Sequence, residues 1–245
     1  HVSHSHRLRD DLLVDSSVIC YFTTPPTPRQ TPFSMKTTPE AIDLLIEPGW
    51  IAAVDPDVVL KNHAVAIHAG RIVAILPAGE ARSRFNPDKR VVLEEHILIP
   101  GLVNLHTHAA MSLMRGLADD LPLMDWLQKH IWPAESANVS AQFVYDGTRL
   151  ACAEMLQGGI TCFNDMYFFP DAAATAAAEL GMRARLGITM LEFPTPYASD
   201  ADDYIKKGLA AHEQWRTHPL IGFCLAPHAP YTVSDATFGR IVTLA

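Results

Sequence analysis

Apolar and polar residues alternate in three different ways along this chain of 245 residues. Over residues 1–38, scattered His, Arg and Asp give way to a Pro- and Thr-rich stretch with no apolar period, a composition that cannot bury enough surface to fold. That region is predicted to be a disordered extension, with Met35 as the natural start of the protein. Over residues 39–97 short β-prone runs recur at 42–46, 50–54, 64–68, 71–76 and 90–93, and the Ala69-Gly70 step suits a tight hairpin turn. A small all-β module is predicted there. From residue 98 onward strand-like runs alternate with helical ones: strand to His106, helix 140–157, strand 160–164, helix 172–180, strand 183–189, helix 200–216, strand 220–226, then a helix capped by Ser234. Strand and helix repeating at this interval mean parallel βαβ units. Four such units make either an open sheet or the first half of a barrel of eight.

The chemistry clusters where strands end. The run Ile99-Pro100-Gly101-Leu102-Val103-Asn104-Leu105 closes in His106-Thr107-His108. Residues i and i+2 of a strand share a face, so both imidazoles can reach one cation, at about 2 Å. Spacing alone favours the reading of two satisfied polar residues. In a parallel barrel the active site lies at the carboxyl ends of the strands, which is where these two stand. The fourth strand ends in Ala226-Pro227-His228, placing a third imidazole at the same rim, although a histidine there could also cap the next helix or bond a carbonyl.

A formal charge of −8 argues against nucleic acid or an anionic membrane as partner, since each calls for a basic stripe. Cys20, Cys152, Cys162 and Cys224 form no CxxC pair and lie in apolar surroundings, so they read as free thiols in a reducing compartment. No apolar window approaches a bilayer's thickness. These features point to the cytoplasm and to small-molecule chemistry.

Beyond His108 come Met111-Ser112-Leu113-Met114-Arg115-Gly116, Asp119-Asp120-Leu121-Pro122-Leu123, Asp125-Trp126-Leu127 and Ile131-Trp132-Pro133-Ala134-Glu135. With Pro100-Gly101-Leu102-Val103-Asn104 ahead of them, these blocks resemble the amidohydrolase superfamily, and more narrowly its 5-methylthioadenosine/S-adenosylhomocysteine deaminases. The resemblance runs from about Ala41 to the last residue. It implies a β-sandwich part over residues 39–97 beside a (β/α)8 TIM-type barrel, of which residues 98–245 supply the first half. It further implies hydrolytic deamination of an adenine nucleoside by a water that one divalent metal, usually zinc, activates. His106 and His108 match the family's first two metal ligands. Glu135 matches the carboxylate that accepts from ribose hydroxyls, His228 a substrate-contacting histidine, and Trp126 the wall of the pocket for the 5′ substituent. Full-length members often form dimers or larger assemblies.

The family's third ligand histidine, its general-acid glutamate and an aspartate lie beyond the fourth strand, so this chain alone is expected to be a truncated and inactive fragment. No lysine ends the fourth strand, which implies a single metal. No arginine follows the third strand to meet a carboxylate, which favours methylthioadenosine over S-adenosylhomocysteine. Guanine or cytosine deaminases and triazine-type chlorohydrolases share the His-Thr-His strand end and are the nearest alternative. A non-catalytic metal-binding or assembly fragment is the alternative from another class. Asp165 is read as a pocket or supporting residue, Asp119 and Asp120 as a solvated loop pair, and His63, His68, His96, His130, His212 and His218 as satisfied or surface histidines.

Overall fold

A computed structural model describes residues 38–245 of the protein. The expectations placed on the preceding residues, including Met35 and Cys20, lie outside the described residues. The chain divides into two compact units at Leu102/Val103, and each is built around its own sheet.

The first unit is organised by one long strand, β1 (Glu40–Ala52). On one edge it pairs antiparallel with β3 (His63–His68) through Leu44–Ile46 and with β2 (Val59–Lys61) through Trp50–Ala52; β4 (Arg71–Pro77) continues the sheet beyond β3. On its other edge it pairs in parallel with β5 (Phe85–Leu98), after a short helix α1 (Ala78–Arg84). The two runs expected at 42–46 and 50–54 are therefore one strand, bent where its register against β5 shifts between Pro48 and Trp50. Gly49 permits the bend, because a Cβ there would sit 2.1 Å from the Glu94 carbonyl oxygen. The Ala69-Gly70 turn has positive φ at both residues, 50° and 70°, as a two-residue hairpin requires. Alternation along β3 sends Ala64 and Ala66 into one apolar cluster and Val65 and Ile67 into another.

Within this unit Glu47 is 4% exposed. Its carboxylate is kept charged by two guanidinium groups: Arg82 Nε donates to Oε2 at 2.8 Å and Arg90 Nε to Oε1. Burial alone would raise the Glu47 pKa, but the bonds and charges of Arg90 and Arg82 outweigh it and bring it below its ordinary value of 4.5.

The second unit carries a four-stranded sheet in sequential order: β6 (Leu102–Thr107), β7 (Ile160–Tyr167), β8 (Arg183–Met190) and β9 (Ile221–Pro227). β7 and β8 pair in parallel, as do β8 and β9. Between β6 and β7 run a 3-10 turn (Ala109–Met114), helices α2 (Leu123–Trp126) and α3 (Trp132–Asn138), and the long helix α4 (Ala141–Gln157). The remaining crossovers are α5 (Pro170–Glu179) and α6 (Ala201–Trp215), and α7 (Asp235–Leu244) follows β9. Ser140, Asp200 and Ser234 cap α4, α6 and α7, each accepting the amide three residues on. One face of the sheet sends Phe163, Leu186, Ile188 and Ile221 into a single core with these helices. The run of small side chains on α5, from Ala172 to Ala177, lets that helix lie close against the core.

Cys152 is buried in that core, its thiol pushed up to about 12 by burial and then by the charge of Asp165, while Cys162 and Cys224 are half-buried and free. No helix among the described residues is long and apolar enough to cross a membrane.

Because the folded pKa of Glu47 lies below the unfolded one, its contribution to stability is present above 4.5 and lost as pH falls through the folded value. Glu47→Gln is therefore expected to lower the urea midpoint at neutral pH, with the difference from the parent shrinking toward about pH 3. Equal differences at both pH values would contradict this account.

Candidate active site

Three consecutive residues at the end of β7 organise the site. Asp165 is 3% exposed, and its Oδ1 accepts the Ala109 amide at 2.7 Å, tying β7 to the first residue after His108. Burial raises the Asp165 carboxyl to about 7 against the opposing amides of Ala109 and Met166. The Met166 carbonyl lies 2.6 Å from His108 Nδ1. A carbonyl can only accept, so Nδ1 carries the proton and Nε2 keeps its lone pair. Tyr167 donates its hydroxyl to Glu135 Oε1 at 2.7 Å. The turn after His108 is also pressed onto α4 at Gly147, where a Cβ would lie 2.4 Å from the Ala110 carbonyl oxygen.

The opposite wall comes from α2 and α3 and the wider π turn, Leu127–Ile131, that joins them. Pro133 explains the widening. It has no amide to donate and its ring crowds the carbonyl four residues back, so a regular α-helix cannot run through it. Trp126, Leu127, Ile131, Trp132 and Glu135 all face one cavity as a result. The step of five from Trp126 to Ile131 and from Leu127 to Trp132 is longer than an α-helical turn and matches the π geometry.

That cavity has a volume of about 300 Å³, at the small end of the range for ligand pockets. Trp132 stacks edge-on against Phe193 with ring centroids 6.2 Å apart, and Phe168, Leu191, Pro194 and Pro196 extend the apolar lining. The polar groups are few: His108, Glu135, Ser136, Tyr167, Thr189, Thr195 and His228. Burial raises the pKa of Glu135, partly offset by the Tyr167 hydrogen bond. His228 Nδ1 lies 2.9 Å from Thr232 Oγ1, whose own proton goes to the Ala229 carbonyl. The neutral ring therefore donates through Nδ1 and leaves Nε2 as an acceptor. Burial, and after it the nearby His108, hold this imidazole below its ordinary range.

The structure thus brings His108, Trp126, Glu135 and His228 to one cavity. His106 is exposed and outside the cavity lining, yet its ring stands 5.1 Å from that of His108, as the i, i+2 strand geometry requires. Asp165, read from the sequence as a pocket or supporting residue, is not in the cavity lining and braces Ala109. Asp119 and Asp120 are exposed. Tyr167, Thr189 and Trp132, to which the sequence assigned no role, line the same cavity. Tyr167 is the last residue of β7, so the rule that chemistry sits at strand carboxyl ends would have found it.

Two imidazoles side by side, one with its Nδ1 bonded to a carbonyl and its Nε2 left for a ligand, are a donor set that fits a divalent metal such as zinc. Among the described residues no group of three His, Cys, Asp or Glu side chains is placed to hold a metal ion.

The sequence profile of the Amidohydrolase family matches residues 97–245, and the chain belongs to that family. A 5-methylthioadenosine/S-adenosylhomocysteine deaminase of Saccharophagus degradans is 53% identical over 204 residues, covering 83% of this chain and 46% of that protein. One of Teredinibacter turnerae is 45% identical over 210 residues, covering 85% and 48%. Among solved structures, an adenosine deaminase of Xanthomonas campestris with bound zinc superposes with a TM-score of 0.83 at 53% identity, over 85% of this chain and 48% of that one. A triazine hydrolase of Arthrobacter aurescens shares the fold, with a TM-score of 0.72 at 21% identity over 82% of this chain and 50% of that one. The chain spans about half the length of these relatives.

Gly147→Ala is expected to destabilise the second unit. Overpacking of about 1–3 kcal/mol against the Ala110 backbone exceeds the ~1 kcal/mol that alanine gains in a helix. Chemical denaturation checks the sign, and an unchanged or raised midpoint would show that the turn after His108 does not depend on this close approach.

Proposed function

We propose that the protein carrying this chain is a metal-dependent aminohydrolase that removes the exocyclic amine of an adenine nucleoside thioether, giving the inosine analogue and ammonia. Residues 98–245 form the first half of its (β/α)8 barrel, and residues 39–97 belong to a β-sandwich part. The observation that carries the reading is the convergence on one apolar, aromatic cavity of His108, Glu135 and His228, each supplied by a different element of a chain 53% identical over 204 residues to one named deaminase of this kind. It works in the cytoplasm on a small molecule, with neither nucleic acid nor membrane as partner.

His106 and His108 hold the metal, which when bound activates a water for hydrolysis. The His108–Met166 bond holds the ring by Nδ1 and would leave Nε2 to bind the metal. Glu135 accepts from the ribose hydroxyls, a task for which a half-buried carboxylate with a free oxygen is suited. His228 offers Nε2 to the purine. The indoles of Trp126 and Trp132, with Phe193, pack against the apolar 5′ substituent and exclude water from it. Among the described residues no Lys or Arg lines the cavity, Arg183 and Arg185 of β8 included. This favours the uncharged methylthioadenosine over S-adenosylhomocysteine, whose carboxylate would enter without a cation to pair.

The test is ammonia release by the full-length gene product loaded with zinc. It is expected to deaminate 5′-methylthioadenosine faster than S-adenosylhomocysteine and to lose activity on chelation. Glu135→Gln should lower kcat/KM for the nucleoside by about tenfold or more. Turnover of guanine or a triazine without turnover of either nucleoside would replace this reading with its nearest alternative.

A further inference from the structure

We propose that Tyr167 is a positioning residue for Glu135, and that through it the site selects nucleosides carrying free 2′ and 3′ hydroxyls over their dideoxy counterparts. The inference rests on the reading of Glu135 as the ribose acceptor and extends it to a residue that touches no reacting atom.

The geometry has three parts. Tyr167 has a single O–H, and it is given to Glu135 Oε1 at 2.7 Å, so one carboxylate oxygen is held while Oε2 remains to accept from a ligand. Its backbone is fixed twice, by pairing with Ile188 of β8 and by the buried Thr189 hydroxyl, which donates to the Tyr167 carbonyl at 3.1 Å. The ring is clamped between Phe168, 5.0 Å away by centroid, and His108, 6.3 Å away.

That last contact gives the residue its significance. One rigid ring touches the histidine at the reacting end of the cavity and bonds the carboxylate at the sugar end, so it sets the span between them. Without the hydroxyl, Glu135 is a half-buried carboxylate on a short helix, free to rotate about its own side chain and penalised by burial for staying charged. A diol recognised by two charge-assisted bonds loses most from that freedom.

The experiment compares adenosine with 2′,3′-dideoxyadenosine as substrates of the zinc-loaded full-length gene product. The variants are Tyr167→Phe, Glu135→Gln and the double substitution. Tyr167→Phe is expected to raise KM for adenosine about tenfold while changing kcat and the dideoxy KM less than about twofold. In the Glu135→Gln background the tyrosine substitution should add little, since the two residues act as one unit. A loss equal for both nucleosides, or additive with Glu135→Gln, would assign Tyr167 a purely structural role and overturn the proposal. If Glu135→Gln itself fails to separate the two nucleosides, the ribose reading of Glu135 falls, and the positioning role falls with it. Should Tyr167→Phe fail to melt cooperatively, Tyr167→Met fills the same space without a donor and is read by the same outcomes.

Discussion

The buried bond between the Asp165 carboxylate and the Ala109 amide is the constraint on which the rest of the site depends. A strand that ends in a histidine does not by itself aim that histidine. The backbone beyond it must be held, and here it is held from two sides, by Asp165 and by the close approach of α4 at Gly147. A carboxylate taken out of water needs such partners, because desolvation is expensive unless the charge is paired or hydrogen-bonded. The next two residues of β7 extend the same logic, Met166 by orienting the His108 ring and Tyr167 by reaching Glu135.

Against this polar framework stands an apolar wall whose shape comes from an irregularity. Pro133 prevents a regular helix through residues 123–138, and the π turn that accommodates it brings two tryptophans and a glutamate to one side. The first unit is governed differently. Its sheet is spanned by β1, and the deeply buried carboxylate of Glu47 serves the fold by pairing with Arg82 and Arg90.

Much of the second unit was legible because its signals are local. Ser140, Asp200 and Ser234 cap helices from one residue each, and the strand–helix period survives without knowledge of what lies beside it. Helix α1 and the continuity of β1 were not legible. Pro48-Gly49 reads as a break in any local window, and only pairing with β5 along the other edge carries the strand through it. At the site, the His106–His108 pair followed from strand geometry, whereas Glu135, His228 and Trp126 came from resemblance to a family. Tyr167 escaped both, because its partner lies 32 residues away and nothing local announces the bond.

The adjacency of Asp165, Met166 and Tyr167 bears on how this sequence can drift over time. Each residue serves a different client: a backbone amide, an imidazole and a carboxylate. Exchanging the Asp165 or Tyr167 side chain therefore disturbs one client, whereas Met166 serves His108 through its backbone carbonyl and can change its side chain without losing that bond. Removing or adding a single residue between Phe163 and Tyr167 would turn the following side chains to opposite faces and disconnect several clients together. The length of that strand is therefore more tightly constrained than the identity of any one of its side chains.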